Sequence, residues 1–168
     1  KLDFKKYPRN IKKDIALLKK IKVKYLYLPT YNDIYSFKTK KPIFIGKFSK
    51  KLCGKFKLGH FFGVVNVVNR FLEIIKPQSI FLGFKDFQQL SLIKLHMHKN
   101  NILTKIIPCP TIRGKNGIAL SSRNSKLNKK QIEIAGKVYK YLKNKKKNIF
   151  SINFKKQQSK IMDKITTL

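Results

Sequence analysis

Two short apolar segments in the middle of the chain alternate with segments of helical periodicity, and this order constrains the fold more than any other feature. The apolar segments are SIFLG at residues 79–83 and ILTKII at residues 102–107. A helix over about residues 87–99 is predicted between them, and an apolar stripe at helical spacing over residues 61–75 precedes them. Helices that alternate with short apolar strands predict an α/β domain with a mainly parallel sheet.

The other segments predict further helices, strands and caps. In chain order these are a helix at 10–20, a buried strand at 23–29, a helical turn at 32–35, an extended segment at 42–45, a lysine-rich loop at 46–59 and a basic helix after residue 128. Asp86 with Gln89, and Asn128 with Gln131, have the spacing of capping boxes. Beyond about residue 144 the pattern is ambiguous between helix and solvated surface.

The length and composition fit a globular chain. Its 168 residues, 42% of them hydrophobic, suffice for one good-sized domain or for one domain and part of another. No apolar run is long enough to span a bilayer, and the first residues lack the apolar region of a signal peptide. The chain opens on Lys1 rather than methionine, which predicts a fragment of a longer protein. Cys53 and Cys109 fit neither a metal-site spacing nor a disulfide framework, which is consistent with a reducing cytoplasm.

The net charge of +33 raises the question of nucleic-acid binding. Only four of the 40 basic residues are arginines, whereas base contacts and bidentate phosphate contacts favour arginine. The lysines are spread along nearly the whole chain beside abundant asparagine and isoleucine, which indicates a codon-composition bias. Non-specific binding to polyanions at low salt is expected, and specific nucleic-acid binding is the minority interpretation.

The segment Gly83–Phe84–Lys85–Asp86 lies where the predicted strand ends and the next helix begins. Ligands of parallel sheets bind beyond the carboxyl ends of the strands, next to helix N-termini that attract anions. Gly83 allows close approach of the backbone, Lys85 supplies a charge for a phosphate, and Asp86 either caps the helix or accepts from a ribose hydroxyl. From spacing alone, an ordinary strand–turn–helix with a surface lysine is the favoured interpretation.

Hydroxyl and guanidinium groups cluster in a second segment, residues 111–124. Two glycines flank a loop there, and Ser121, Ser122 and Arg123 follow a small apolar triplet. Hydroxyls with a forked guanidinium form a clamp suited to a polyphosphate. The alternative is a turn held by serine hydrogen bonds. For His60, which precedes an amphipathic helix, the sequence leaves a structural and a substrate-side role open.

Taken in order, four segments carry a resemblance. They are DFKKYPRNIKKDIALLKK, LGHFFGVVNVVNRFLEIIKP, FLGFKDFQQLSLIK and IPCPTIRGKNGIALSSRN, and they cover Asp3 to about Tyr139. Together they resemble the pantothenate synthetase (pantoate–β-alanine ligase) family, in which the paired GxKDFQQL and ALSSRN segments are the specific part.

The resemblance implies a fold and an activity. The fold is a Rossmann-like nucleotidyltransferase, with helices on both faces of a parallel sheet in residues 1–122 and the start of a smaller α+β C-terminal domain in residues 123–168. The activity is ATP-dependent condensation of pantoate with β-alanine through a pantoyl adenylate, releasing pyrophosphate and then AMP. Mg²⁺ would accompany the triphosphate, and the whole protein would be a cytoplasmic homodimer with no membrane or specific nucleic-acid partner.

Site roles follow from the resemblance position by position. In the first segment the resemblance implies ATP binding by Gly83, Phe84, Lys85 and Asp86, and pantoate binding by Gln89. In the second segment it implies that the backbone of Ile112 contacts the adenine side. It also implies a loop that closes on the phosphates, formed by Leu120, Ser121, Ser122 and Arg123. Because adenylation builds negative charge on the phosphates, catalysis is assigned to Lys85, Ser121, Ser122 and Arg123.

The sequence also departs from the family. Phe84 stands where the family has glutamate, Lys57–Leu58 stand for Arg-Pro, and Asn116 stands for aspartate. The H-x-G-H motif of the family does not occur in these residues, so the chain alone is predicted to lack adenylating activity. The alternatives are a lysine-rich, non-specific nucleic-acid-binding protein and a degenerate product without function.

Overall fold

The computed structural model of the chain describes residues 10–149 and 154–167. By their contacts the residues form two compact units. One is residues 18–111, and the other combines the described residues of 1–17 and 112–168. The predicted domain boundary between residues 122 and 123 stays a prediction.

Seven α-helices lie in the described residues. In chain order they are α1 Ile11–Lys20, α2 Tyr31–Tyr35, α3 Cys53–Phe56, α4 His60–Ile75, α5 Phe87–Lys99, α6 Lys129–Ile149 and α7 Phe154–Thr166. Short 3₁₀ turns cover Lys47–Lys50, Phe84–Asp86 and Ser122–Lys126. The predicted helices at 10–20, 32–35, 61–75 and 87–99 are confirmed, and the ambiguous segment after residue 144 continues α6 to Ile149.

The unit of residues 18–111 contains a two-stranded parallel sheet. β1 is Ser79–Gly83 and β2 is Lys105–Cys109, and the strands pair from Ser79 opposite Lys105 to Gly83 opposite Cys109. The helix between them makes the crossover that parallel strands need. The predicted α/β class with a parallel sheet is confirmed, as are the bounds of β1.

β2 begins three residues later than predicted and includes Pro108, which was expected to end it. The Ile102 N–H donates to the Met97 carbonyl at 2.9 Å, and the Thr104 hydroxyl donates to the Pro77 carbonyl at 2.7 Å. These bonds hold residues 102–104 in the turn that follows α5. Pro108 fits in β2 because the strand pairs on one side in the described residues, where a missing N–H is tolerated.

The core of this unit lies between α4, α5 and one face of the sheet. Its buried side chains are Phe61, Val65 and Leu72 from α4 and Leu92, Ile93 and Met97 from α5. Ile80, Leu82 and Ile106 pack against them from the strands. Phe81, on the opposite face by the alternation of a strand, is 70% exposed. Among residues 18–111 the described helices therefore cover one face of the sheet.

A network of hydrogen-bonded polar side chains, most of them buried, fixes α4 against α5. His96 and Asn69 are both fully buried, and His96 Nε2 lies 3.0 Å from Asn69 Oδ1. The Phe44 N–H donates to His96 Nδ1, so the imidazole proton sits on Nε2 and is donated to Asn69. Asn69 Nδ2 in turn donates to Glu73 Oε1 at 2.8 Å. Burial lowers the pKa of His96, and the Glu73 carboxylate opposes that shift.

The same network of side chains holds the segment that contains Lys40 and residues 42–45 in place. The Glu73 carboxylate accepts the Lys40 N–H with both oxygens at 3.1 Å, and Asn100 Nδ2 donates to the Pro42 carbonyl. Residues 42–45, predicted to be extended, run without helix or strand. Side chains of α4 and α5 therefore anchor this segment in place of a strand ladder.

The predicted buried strand at residues 23–29 is wrong. The segment has no strand structure, and its apolar side chains are exposed, Tyr25 by 90%. A strand requires a neighbour to accept its backbone hydrogen bonds, and no described strand lies beside this segment.

In the second unit, residues 112–120 form a hairpin turn that precedes α6. The Leu120 N–H donates to the Ile112 carbonyl at 2.9 Å, and Arg113 bridges to Ala119 in antiparallel fashion. α6 begins with the predicted capping box, since Asn128 Oδ1 accepts the Gln131 N–H and Gln131 Oε1 accepts the Asn128 N–H. This capping box is confirmed.

Candidate active site

A cavity of about 280 Å³ opens beside the carboxyl end of β1, in the unit of residues 18–111. Three helices begin at its wall, namely α3, α4 and α5. The lining residues are Leu52, Cys53, Lys57, His60, Phe61, Lys85, Asp86, Phe87, Gln88 and Gln89. Three of the sequence-predicted site residues, Lys85, Asp86 and Gln89, are therefore brought together.

The charge of the cavity favours an anion. Lys57 and Lys85 line it with one carboxylate, Asp86, and with the imidazole of His60. The first turns of α4 and α5 add the positive ends of two helix dipoles. A phosphate or carboxylate group is the ligand that these features stabilise together.

Asp86 lines this cavity, and its side chain does not cap α5. The predicted Asp86–Gln89 capping box is wrong, since Asp86 makes no side-chain capping hydrogen bond at the start of α5. A 3₁₀ turn, Phe84–Asp86, directly precedes the helix. The Asp86 carboxylate is exposed, and Gln89 is half-buried one turn further along α5.

The Phe84 ring lies outside the lining of the Lys85 cavity. Its ring stacks on Phe87, with 6.3 Å between the ring centroids and 18° between the planes. Both rings line a separate apolar hollow of about 250 Å³ with Leu90, Ile106 and Pro108. Phe84, where the resemblance predicts glutamate, thus occupies an apolar surface next to the Lys85 cavity. Gly83 joins β1 to the turn between the two hollows.

The second predicted segment lies in the other unit. The hairpin bond sets Leu120 opposite Ile112, and Ser121 Oγ accepts the Arg123 N–H at 3.2 Å. Ser122 and Arg123 are exposed in the 3₁₀ turn Ser122–Lys126. Local serine hydrogen bonds therefore shape this loop, as the simpler interpretation of the sequence predicted. Closure of the loop on phosphates stays a prediction.

Comparison with known proteins identifies the family. The family model described as pantoate-beta-alanine ligase matches residues 1–167. The chain belongs to the pantoate–β-alanine ligase family. The pantothenate synthetase of Buchnera aphidicola subsp. Acyrthosiphon pisum (strain Tuc7) is 43% identical over 143 residues, which are 84% of this chain and 50% of the relative. That of Azobacteroides pseudotrichonymphae is 41% identical over 162 residues, or 95% of this chain and 58% of the relative.

A solved structure agrees with this assignment. The pantoate-beta-alanine ligase of Francisella tularensis, complexed with beta-gamma ATP and beta-alanine, is 36% identical with a TM-score of 0.80 and covers 98% of this chain and 60% of that protein. The chain spans about half the length of these curated pantothenate synthetases. The family resemblance and the Rossmann-like nucleotidyltransferase fold inferred from the sequence are thereby confirmed.

Some structural roles in the second unit are not evident in the sequence. Arg113 Nη1 donates to the Gly117 carbonyl at 3.1 Å, and its guanidinium lies 3.9 Å from the centre of the Tyr139 ring. Gly117 has a φ of 86°, and a Cβ at this position would overlap the Tyr139 ring. A Cβ at Gly136 of α6 would likewise come too close to the Asn116 carbonyl oxygen. These contacts seat the hairpin on α6, and a spacing rule gives no signal for them.

Two features of the described residues bear on metal ions and membranes. No group of three or more His, Cys, Asp or Glu side chains comes together there in a way that would hold a metal ion. Nor does the described part of the chain contain a helix with the length and apolar character needed to cross a membrane.

Proposed function

We propose that this chain supplies the nucleotide- and pantoate-binding part of a pantoate–β-alanine ligase. The observation that carries the proposal is the cavity at the end of β1, where Lys85, Asp86 and Gln89 meet the first turns of two helices. The match of residues 1–167 to the family supports it, as does the ATP and β-alanine complex of the Francisella tularensis ligase.

The proposed reaction has two steps. A pantoate carboxylate oxygen attacks the α-phosphorus of ATP, and pyrophosphate leaves with the electrons of the broken P–O bond. The β-alanine amine then attacks the acyl carbon of the adenylate, AMP leaves, and the nitrogen loses a proton as the amide of pantothenate forms. No protein nucleophile takes part, so the chain acts by positioning and by electrostatic stabilisation.

Each predicted residue has a proposed role in that scheme. Lys85 stabilises the charge that builds on the phosphates, and Gln89 holds pantoate. Asp86 is the carboxylate in the cavity wall, and Mg²⁺ in proteins is commonly held by one or two carboxylates together with substrate phosphates. If Mg²⁺ accompanies the triphosphate, Asp86 would be the carboxylate of this wall that could hold it together with the phosphates. The remaining ATP contacts are assigned to Gly83, Phe84, Ile112, Leu120, Ser121, Ser122 and Arg123.

The wider proposals concern the whole protein. The 168 residues by themselves are proposed to lack adenylating activity, because they contain no H-x-G-H sequence. The active protein is proposed to be a cytoplasmic homodimer. Sedimentation tests the dimer, and pantoate-dependent ATP–pyrophosphate exchange tests the inactivity. Robust exchange by the 168 residues alone would contradict that proposal.

A chimera tests the activity directly. The stretch of the Buchnera aphidicola synthetase that matches this chain is replaced by the corresponding residues of this chain, and pantothenate formation is measured. Activity is expected, and Lys85→Met should lower kcat/KM by about a hundredfold or more through lost charge stabilisation. Lys105→Met, at the exposed start of β2 and at the opposite end of the sheet, is the matched control and should change activity little.

Two outcomes would oppose the proposal. A folded chimera that binds neither ATP nor pantoate would remove the assigned function. Equal losses from Lys85→Met and Lys105→Met would show that bulk positive charge, rather than the cavity, attracts the nucleotide. Binding of nucleic acid that persists with sequence preference near physiological salt would favour the nucleic-acid alternative instead.

A further inference from the structure

The wall of the Lys85 cavity contains a strained backbone turn at Leu52. This residue has a φ of 47° and a ψ of −125°, in a region that leucine rarely adopts because its Cβ clashes with the backbone. Leu52 is also 64% exposed, so burial of its side chain does not explain the conformation. A strained residue persists only where its surroundings fix it, and such residues concentrate at functional sites.

The Gln88 side chain holds the peptide groups on both sides of Leu52. Gln88 Nε2 donates to the Lys51 carbonyl at 2.7 Å, and Gln88 Oε1 accepts the Cys53 N–H at 3.1 Å. Nε2 also donates to the Phe48 carbonyl at 2.9 Å, which uses both amide hydrogens. Gln88 is 7% exposed, so water competes little for these bonds.

We propose that Gln88 is a positioning residue, which clamps the Leu52 turn so that residues 52–57 form one wall of the substrate cavity. This inference rests on the proposed function, because the cavity is the one assigned to ATP and pantoate. The clamped turn carries Leu52, Cys53 and Lys57 to the lining, opposite the first turn of α5. Gln88 therefore acts through the turn, whereas its neighbour Gln89 is the residue proposed to hold pantoate.

Amide hydrogen exchange of the 168-residue chain tests the clamp. Gln88→Met keeps the length of the side chain and removes all three hydrogen bonds, so the Cys53 N–H should exchange about tenfold faster or more. Gln78→Met, at an exposed position before β1, is the matched control and should leave that amide unchanged. Unchanged exchange at Cys53 in Gln88→Met would overturn the proposal.

The strain supplies a second, independent test. Glycine adopts the Leu52 conformation without a Cβ clash, so in a Leu52→Gly background the turn needs the clamp less. Gln88→Met should then accelerate exchange at Cys53 by a smaller factor than in the unmodified chain. An equal factor in both backgrounds would show that Gln88 does not hold Leu52 against strain. Lys76→Gly, at a left-handed residue that ends α4, controls for the removal of a positive φ elsewhere.

Binding of pyrophosphate separates positioning from simple structural support. In Gln88→Met the dissociation constant of pyrophosphate, measured well below the melting temperature at fixed salt, should rise by about tenfold, the factor of one lost hydrogen bond. A lower melting temperature with an unchanged dissociation constant would leave Gln88 a structural residue only. If the unmodified chain binds no pyrophosphate, the proposed function loses its anion site, whereas the exchange rates still decide the role of Gln88.

Discussion

Replacing Asn69 by leucine should destabilise the protein more than any exposed substitution, because Asn69 links two other polar groups inside the core. Its Oδ1 accepts the proton of the fully buried His96, and its Nδ2 donates to Glu73. Leucine is similar in size but offers neither group. The Asn69→Leu substitution therefore leaves the His96 N–H without an acceptor in a site that water does not reach.

The expected loss follows from the two broken bonds. A buried donor left unsatisfied costs about 1–3 kcal/mol, and the bond to the Glu73 carboxylate contributes about 1.5 kcal/mol as a hydrogen bond to a charged group. Hydrogen bonds to charged groups contribute about 1.5–3 kcal/mol. The lower end of that range applies here because Glu73 is half-buried and keeps its bond from the Lys40 N–H. The sum is roughly 3 kcal/mol, which for a chain of this size lowers the melting temperature by roughly 6–12 °C.

Urea and thermal unfolding measure this loss, with Asn66→Leu as the matched control. Asn66 lies on the same helix, is half-buried and accepts one bond, from Arg70 Nε at 3.0 Å. The change in helix propensity is the same at both positions, so the difference between the variants isolates the buried network. A loss below about 1 kcal/mol, or one equal to that of the control, would refute the reasoning, because it falls under the cost of one unsatisfied buried donor.

Three further predictions each concern one residue. Because burial lowers the pKa of His96, the unfolded chain binds a proton that the folded chain does not; the free energy of unfolding should fall as the pH drops below the ordinary histidine value of 6.5. His96→Gln should remove this dependence in urea titrations at several pH values, whereas the exposed His98→Gln should keep it. Gly117→Ala should cost about 2 kcal/mol or more in thermal unfolding, from its positive φ and the overlap with Tyr139. Arg70→Lys should cost about 1–2 kcal/mol in the same assay, because an ammonium group does not reproduce a guanidinium that bonds two carbonyls and stacks on two rings; a loss within error would contradict this.

Helices were predictable because their hydrogen bonds and their apolar periodicity are local. The stripe of residues 61–75 gives α4 within one residue, and Pro77 marks its end. Strands depend on distant neighbours, so the apolar segment at 23–29 was predicted as a strand although no described strand pairs with it. β2 was placed too early for a related reason, since the Thr104 bond to the Pro77 carbonyl is a contact between residues 27 positions apart.

The cavity was partly predictable. A glycine, lysine and aspartate at a strand end mark a ligand edge, and Lys85, Asp86 and Gln89 do line one cavity. The contribution of residues 52–57 was missed, because nothing in a lysine-rich loop indicates which residues turn inward. The role of Gln88 was missed as well, since two adjacent glutamines on a helix carry no signal for which one is buried.

The arginines show how the structure changes the weight of a sequence argument. In a chain that uses lysine almost everywhere, a retained arginine suggests bidentate phosphate binding, and Arg123 lies in the loop interpreted as a polyphosphate clamp. Arg70 and Arg113 each donate to backbone carbonyls while the guanidinium lies over an aromatic ring. Lysine cannot do both, because its ammonium group is neither planar nor forked. Structural need alone therefore accounts for two of the four arginines, and the proposed phosphate role of Arg123 depends on the family match rather than on the rarity of arginine.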